Sequence, residues 1–188
     1  MLSFVDQVSQ FTSNLSPPPE YAPWNASDSL FAIWIGVNDV GNAWYRPEWP
    51  TLSEQILDRY FEQVQILYDA GARKFAFLTV PPLHRTPAMM AQDEAVRDIE
   101  AAAVARYNSL LDAGKRAFEA ANPGVWTKII DTTQSFAFAL DNPSFYGIPD
   151  ATCTNPDGLS CFWTDDYHPG VIIQRSVNAE FVFRVGLS

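Results

Sequence analysis

The sequence predicts an α/β fold, a three-layer sandwich in which helices cover both faces of a parallel sheet. Two observations carry the prediction. Three short apolar runs are bounded by turn residues, and between them lie helix-length segments whose apolar residues recur every three or four positions. The resulting order β-α-β-α-β-α sends a crossover from each strand to the next, which makes neighbouring strands parallel. The chain has 188 residues with neither an internal repeat nor a flexible linker, so residues 1–188 read as one domain.

Each element has its own signal. Phe4, Val5, Val8 and Phe11 are spaced for about two turns of helix, and Pro17-Pro18-Pro19 closes that segment. Leu30–Ile35 is a continuous apolar run ending at Gly36, the pattern of a strand buried on both faces. Thr51-x-x-Glu54, just after Pro50, is a capping-box signature. It opens a helix with a stripe at Leu52, Ile56, Tyr60, Phe61, Val64, Leu67 and Tyr68, stopped by Gly71. Lys74–Val80 is the second strand, halted by Pro81-Pro82. A long helix is expected from about Asp93 to Ala121, striped by Val96, Ile99, Ala103, Tyr107, Leu110, Leu111 and Phe118, and broken by Asn122-Pro123-Gly124. Val125–Ile130 is the third strand and Thr132–Leu140 a short helix. A last helix follows His168-Pro169-Gly170 and runs through Val185, with Pro169 in its first turn.

Composition excludes several functions. Twelve Lys and Arg against 22 Asp and Glu leave a net charge of -10, the wrong sign for nucleic acid. The longest clean apolar run, Leu30–Ile35, is far short of the ~18–20 residues of a membrane span. Two His and two Cys supply a zinc site or a haem poorly. Cys153 and Cys161 enclose a short polar loop that reads as a disulfide, which implies an oxidising compartment. Asn14-Leu15-Ser16 and Asn25-Ala26-Ser27 fit the N-glycosylation pattern, with Asn14 and Asn25 as acceptors. Met1–Asp6 has neither a basic segment nor a long apolar one, so it is not a signal peptide. Together these features describe a secreted protein whose export signal is not on this chain.

Functional residues of an open parallel sheet sit in the loops beyond the carboxyl ends of its strands. The first such loop is Gly36-Val37-Asn38-Asp39, where the Asn38 amide can donate into the crevice, although Gly, Asn and Asp are also ordinary turn residues. The second feature is Asp165-Asp166-Tyr167-His168-Pro169, with Asp165 one turn ahead of His168. A His oriented by a carboxylate is the general-base half of a nucleophilic triad. An isolated Asp-x-x-His is more often a solvated surface turn.

In this order the two motifs resemble blocks III and V of the SGNH (GDSL-type) esterases and lipases. Phe4-Val5-Asp6-Gln7-Val8, Trp34–Asp39, Val80-Pro81-Pro82, Arg106-Tyr107-Asn108-Ser109-Leu110 and Phe162–Pro169 further resemble the fungal acetylesterases of carbohydrate esterase family 16. The resemblance spans nearly the whole chain. It implies a flavodoxin-like sandwich, no cofactor, and a small-molecule or oligosaccharide ester as substrate. It implies Asn38 as an oxyanion-hole donor, His168 as general base and acid, and Asp165 as the group that fixes the His168 tautomer. Asp166 is expected to be solvated, and Gly36 and Asp39 to shape the turn that aims Asn38.

Two of the family's blocks have no counterpart in the sequence. One is the Gly-Asp-Ser block that carries the nucleophile. The other supplies a glycine amide to the oxyanion hole. Asp28-Ser29-Leu30 copies letters of the signature but precedes a strand, so Ser29 is expected to be a loop residue. The resemblance therefore implies a C-terminal portion of the domain lacking its first two strands, at least ~60 residues if each βα unit takes ~30. Leu30–Ile35 would then be an exposed edge. The alternative is a non-catalytic remnant or carbohydrate-binding protein using Trp24, Trp34, Trp44, Tyr45, Trp49 and Trp163. Of these, Trp44, Tyr45 and Trp49 are the ones expected to line a sugar-facing cleft.

Overall fold

The computed structural model describes residues 2–186. Three parallel strands, β1 (Phe31–Ile33), β2 (Lys74–Leu78) and β3 (Trp126–Ile130), lie side by side in chain order. The register sets Phe31 opposite Phe75, and Phe75 opposite Thr127. Helices α1 (Phe4–Asn14), α2 (Val37–Gly41), α3 (Trp49–Asp69), α4 (Pro87–Met90), α5 (Glu94–Ala121), α6 (Thr132–Asp141) and α7 (Val171–Val185) complete the chain, with single 3₁₀ turns at Leu83–Arg85 and Pro143–Tyr146.

The pleat of β2 separates two cores. Phe75 and Phe77 join Tyr60, Val64, Leu67, Tyr107, Leu111 and Phe118, the buried stripes of α3 and α5. Ala76 and Leu78 point the other way and join Phe136, Leu140, Ile173 and Val177 from α6 and α7. Alternate residues of one strand thus feed opposite layers, as period-2 geometry requires. Phe75 and Phe118 meet edge to face with centroids 5.6 Å apart, and Phe61 meets Phe77 similarly at 5.6 Å. Such pairs contribute about 0.5–1.5 kcal/mol beyond the area they bury. Ser3 caps α1 in a reciprocal box with Asp6. Phe4 and Phe11 then pack α1 against Tyr60 and Phe31.

Four expectations change. β1 is three residues long and forms one of the sheet's two edges among the described residues. Ala32 at its centre is exposed, so Leu30–Ile35 is not buried on both faces. Its flanking residues still alternate, Phe31 and Ile35 toward the first core and Leu30 and Trp34 toward the second. α3 begins at Trp49, because Pro50 is accommodated in the first turn, where its missing N–H costs nothing. Thr51 is therefore already inside the helix and the Thr51–Glu54 box does not form. Glu54 instead pairs with Arg106 of α5 at 2.6 Å. Pro169 lies ahead of α7, in an isolated bridge with Trp163, and α7 starts at Val171. In α5, Ile99 is exposed and Glu100 occupies the buried stripe.

Cys153 and Cys161 form a disulfide with Cα atoms 5.1 Å apart. It closes the loop that delivers Trp163, which is 1 % exposed and whose Nε1 donates to the Ala151 carbonyl at 2.8 Å. No helix of the described residues is long and apolar enough to cross a membrane. Because the bridge closes a loop with a sequence separation of 8, its loss removes about 2–3 kcal/mol by the chain-entropy relation. Urea unfolding with and without reductant, and of Cys153→Ser/Cys161→Ser, is expected to differ by that amount.

Candidate active site

The chain leaves β1 through Trp34-Ile35-Gly36 and turns directly into α2. Gly36 is required there twice. Its φ of +125° is disfavoured for side-chain-bearing residues, and a Cβ at 36 would fall 2.5 Å from the Tyr107 hydroxyl oxygen. Tyr107, fully buried on α5, donates from that hydroxyl to the Ile35 carbonyl at 3.2 Å. The next residue of α5 fixes the next strand exit. Asn108 Oδ1 accepts from the Val80 N–H at 2.8 Å, and its Nδ2 donates to the Val80 carbonyl at 2.9 Å. Thr132 closes the third exit, its N–H donating to Thr79 Oγ1 at 2.9 Å. The carboxyl ends of all three strands are therefore pinned by side-chain bonds.

Asn38 lies in the first turn of α2, exposed on that edge of the sheet. The tetrapeptide 36–39 is a helix start, too short to show a helical period in sequence. Asp39 beside it is half-buried, and burial raises its carboxyl above the usual range.

The Asp165–His168 turn comes to the same edge. Asp165 Oδ1 accepts from the Tyr167 N–H at 2.8 Å and from the His168 N–H at 2.7 Å, while Oδ2 lies 2.8 Å from His168 Nδ1. The backbone bond from His168, then that from Tyr167, holds the Asp165 carboxyl below its ordinary range, so it stays ionised. Both side chains are exposed, 70 % for His168 and 52 % for Asp165. Asp166 is exposed, and its carbonyl ties the turn to α4 by accepting from the Ala88 N–H at 2.9 Å.

Asn38 and His168 line one cavity of about 250 Å³, together with Trp34, Pro82, Trp163 and Tyr167. No serine is among its lining residues. A second cavity of about 570 Å³ lies on the other side of Asn38 and Trp34, against α1 and α3. Ser29 is in the turn before β1, at the opposite end of that strand from Asn38, with its hydroxyl donating to Asp28 Oδ1 at 3.0 Å. Among the described residues, no three His, Cys, Asp or Glu side chains gather as a metal site needs.

The aromatic expectation is corrected. Trp44, Tyr45 and Trp49 line neither cavity. Trp49 begins α3 on its buried stripe, Trp44 packs on the first core, and Tyr45 stands exposed against the edge of Trp44. Trp24 is spent on Phe11 and Phe31. Trp34 and Trp163 do line the cavity that holds Asn38 and His168.

The motifs of the sequence do not include Glu100. It is 2 % exposed, its Oε2 has no hydrogen-bond partner, and burial pushes its carboxyl up to about 7. It lies behind Tyr167, whose hydroxyl is shifted up first by burial and then by Glu100. Only its position on the apolar stripe of α5, in register with Val104, Tyr107 and Leu111, could have flagged it.

A parallel α/β sheet with these two loops at its carboxyl edge fits a partial SGNH hydrolase fold. No family model matches the chain. Individual relatives do. An acetylesterase of Thermothelomyces thermophilus is 54% identical over 178 residues, which cover 94% of this chain and 59% of the relative. Two GDSL esterases/lipases of Arabidopsis thaliana are 28% and 27% identical, again over 94% of this chain and 59% of each relative. The chain is thus similar to an acetylesterase and to GDSL esterases/lipases, and it spans about three-fifths of the length of these curated relatives.

Two outcomes follow for the pair and for Glu100. With Asp165 accepting at Nδ1, neutral His168 is expected as the Nδ1–H tautomer, and Asp165→Ala returns it to the Nε2–H form. Long-range ¹H–¹⁵N spectra distinguish the two, and only His84 shares the region. Glu100 ionises near 4.5 when exposed and near 7 in the fold, so between those values the folded state holds the extra proton. Stability therefore falls as pH rises through that window, by about 3 kcal/mol. His84, shifted down mainly by burial, acts oppositely below its ordinary 6.5. Urea unfolding against pH is expected to lose the downward slope in Glu100→Gln.

Proposed function

We propose that this chain carries the oxyanion and acid–base residues of a serine ester hydrolase of the acetylesterase type, acting on acetylated carbohydrate or other short-chain esters. His168 takes the proton from a serine hydroxyl as that oxygen attacks the ester carbonyl carbon. The carbonyl oxygen becomes negative in the tetrahedral intermediate and accepts a hydrogen bond from the Asn38 amide, a contribution of about 3–4 kcal/mol in comparable sites. His168 then gives the proton to the departing alcohol, and water repeats the cycle on the acyl-enzyme. Asp165 holds the imidazole in the tautomer that leaves Nε2 free to accept, and stabilises the imidazolium that forms.

The observation that carries this reading is the Asp165 carboxylate, fixed by two main-chain N–H groups and facing Nδ1 of His168, which lines the same cavity as Asn38. Relatives named as an acetylesterase and as GDSL esterases/lipases support it. Since no serine lines that cavity, the nucleophile is assigned to polypeptide other than this chain, and the chain by itself is inactive. Residues 1–188 are then a portion of one SGNH hydrolase domain. The disulfide and the exposed sequon residues Asn14 and Asn25 fit a secreted protein. The same missing serine, with Trp34 and Trp163 on the cavity, also suits a carbohydrate-binding pseudoenzyme.

A chimera decides between them. The part of the Thermothelomyces thermophilus acetylesterase outside the aligned stretch is joined to this chain, and acetyl ester hydrolysis is measured. Activity is expected, falling about 10⁴-fold or more in His168→Ala and about 10²–10³-fold in Asn38→Ala. The isolated chain is expected neither to hydrolyse the ester nor to take a serine-directed phosphonate label. A folded but inactive chimera would favour the binding protein.

A further inference from the structure

Tyr167 stands between the two proposed catalytic elements, and the chemistry above makes no use of it. Its N–H donates to Asp165 Oδ1 at 2.8 Å, and its ring meets the His168 imidazole edge-on, with centroids 5.6 Å apart and planes at 82°. The far end of the same side chain reaches α2. A Cβ built on Gly41 would lie 2.5 Å from the Tyr167 hydroxyl oxygen, so the phenol fills the space a side chain at 41 would take. Gly41 is three residues after Asn38, and positions three apart share a helix face. The ring between these ends is half-buried against the first core. One side chain therefore touches the helix that carries the oxyanion donor and belongs to the turn that carries the base. α2 is also a poor place for glycine, which costs about 1 kcal/mol relative to alanine within a helix.

From these contacts we infer that Tyr167 is a positioning residue that ties α2 to the Asp165–His168 turn through the side-chain-free surface of Gly41, and so sets the separation of Asn38 from His168. Its catalytic importance rests on the function proposed above, whereas the mechanical link does not. Where reacting groups must be aligned, a displacement near 1 Å costs about 10²-fold in rate. The turn is exposed, and Val40 is the one residue of the five-residue helix that is buried in the core.

Gly41→Ala tests the link with a sign that helix propensity cannot produce. Alanine by itself would firm α2. If the phenol is seated on residue 41, the new methyl group expels it and loosens a turn remote in sequence. Amide exchange at Tyr167 and His168 is then expected to speed up about five- to tenfold through local opening, with β2 and β3 amides unchanged. Tyr167→Phe removes the clashing oxygen, so the double variant Gly41→Ala/Tyr167→Phe is expected to regain most of the slow exchange. The fraction of His168 in the Nδ1–H tautomer should fall in Gly41→Ala and recover in the double variant. Unchanged exchange in Gly41→Ala, or no recovery in the double variant, overturns the link. If wild-type His168 shows no Nδ1–H preference, the catalytic reading fails instead, and the exchange data still judge the link.

Discussion

Tyr107 leaves room for nothing but hydrogen on residue 36, and much of the site hangs on that contact. The tyrosine is fixed by the buried stripe of α5. Through its hydroxyl it holds the Ile35 carbonyl, and through its ring edge it demands the glycine that turns the chain into α2. Its neighbours extend the same control. Successive helical residues point about 100° apart, so Arg106, Tyr107 and Asn108 address three elements. Arg106 reaches Ser53 and Glu54 of α3, Tyr107 the exit of β1, and Asn108 the exit of β2. A single turn of one core helix thus fixes where the Asn38 loop and the Pro81-Pro82 segment of the same cavity begin.

The acid–base pair is held by a different principle. Asp165 and His168 are too exposed for burial to orient them, and a solvent-facing ion pair adds about 0–1 kcal/mol to stability at most. What orients the carboxylate is the backbone, two N–H groups from its own turn, with the turn in turn bonded to α4 and packed over Tyr167. The pair is accordingly a local device with little stake in the fold. Glu100 is the reverse, a carboxyl kept inside the protein without a complete set of partners, where ionisation works against folding.

Much of this was legible in the sequence. The long helix ends within a residue of where Asp93 and Asn122 mark it, because cap and breaker chemistry is local. β2 was readable as a buried run, since it has a strand on either side, whereas β3 has a strand on one side and is buried only in part. β1 looked identical in sequence and differs because burial of a strand depends on what lies beside it, which periodicity within the run does not encode. The Thr51–Glu54 box was a correct pattern overridden by Pro50, which the first helical turn absorbs. Asp165 and His168 could be found because their relation is confined to one turn. The parts that stayed hidden are long-range. Tyr107 against Gly36, Tyr167 against Gly41 and Glu100 on an apolar stripe each depend on elements brought together only by the sheet, and Trp49 was drawn into the core by the helix it begins.

The central claim is that the Asn38 helix and the Asp165–His168 turn face one ester-binding cavity. It is tested most directly by titrating the chain with an acetylated sugar while following the Asn38 side-chain amide and the His168 imidazole by NMR. Both signals are expected to move together with a single dissociation constant, and Trp34 and Trp163 indole signals with them. Movement of only one of the two, or of Trp44 and Tyr45 in their place, would contradict the claim.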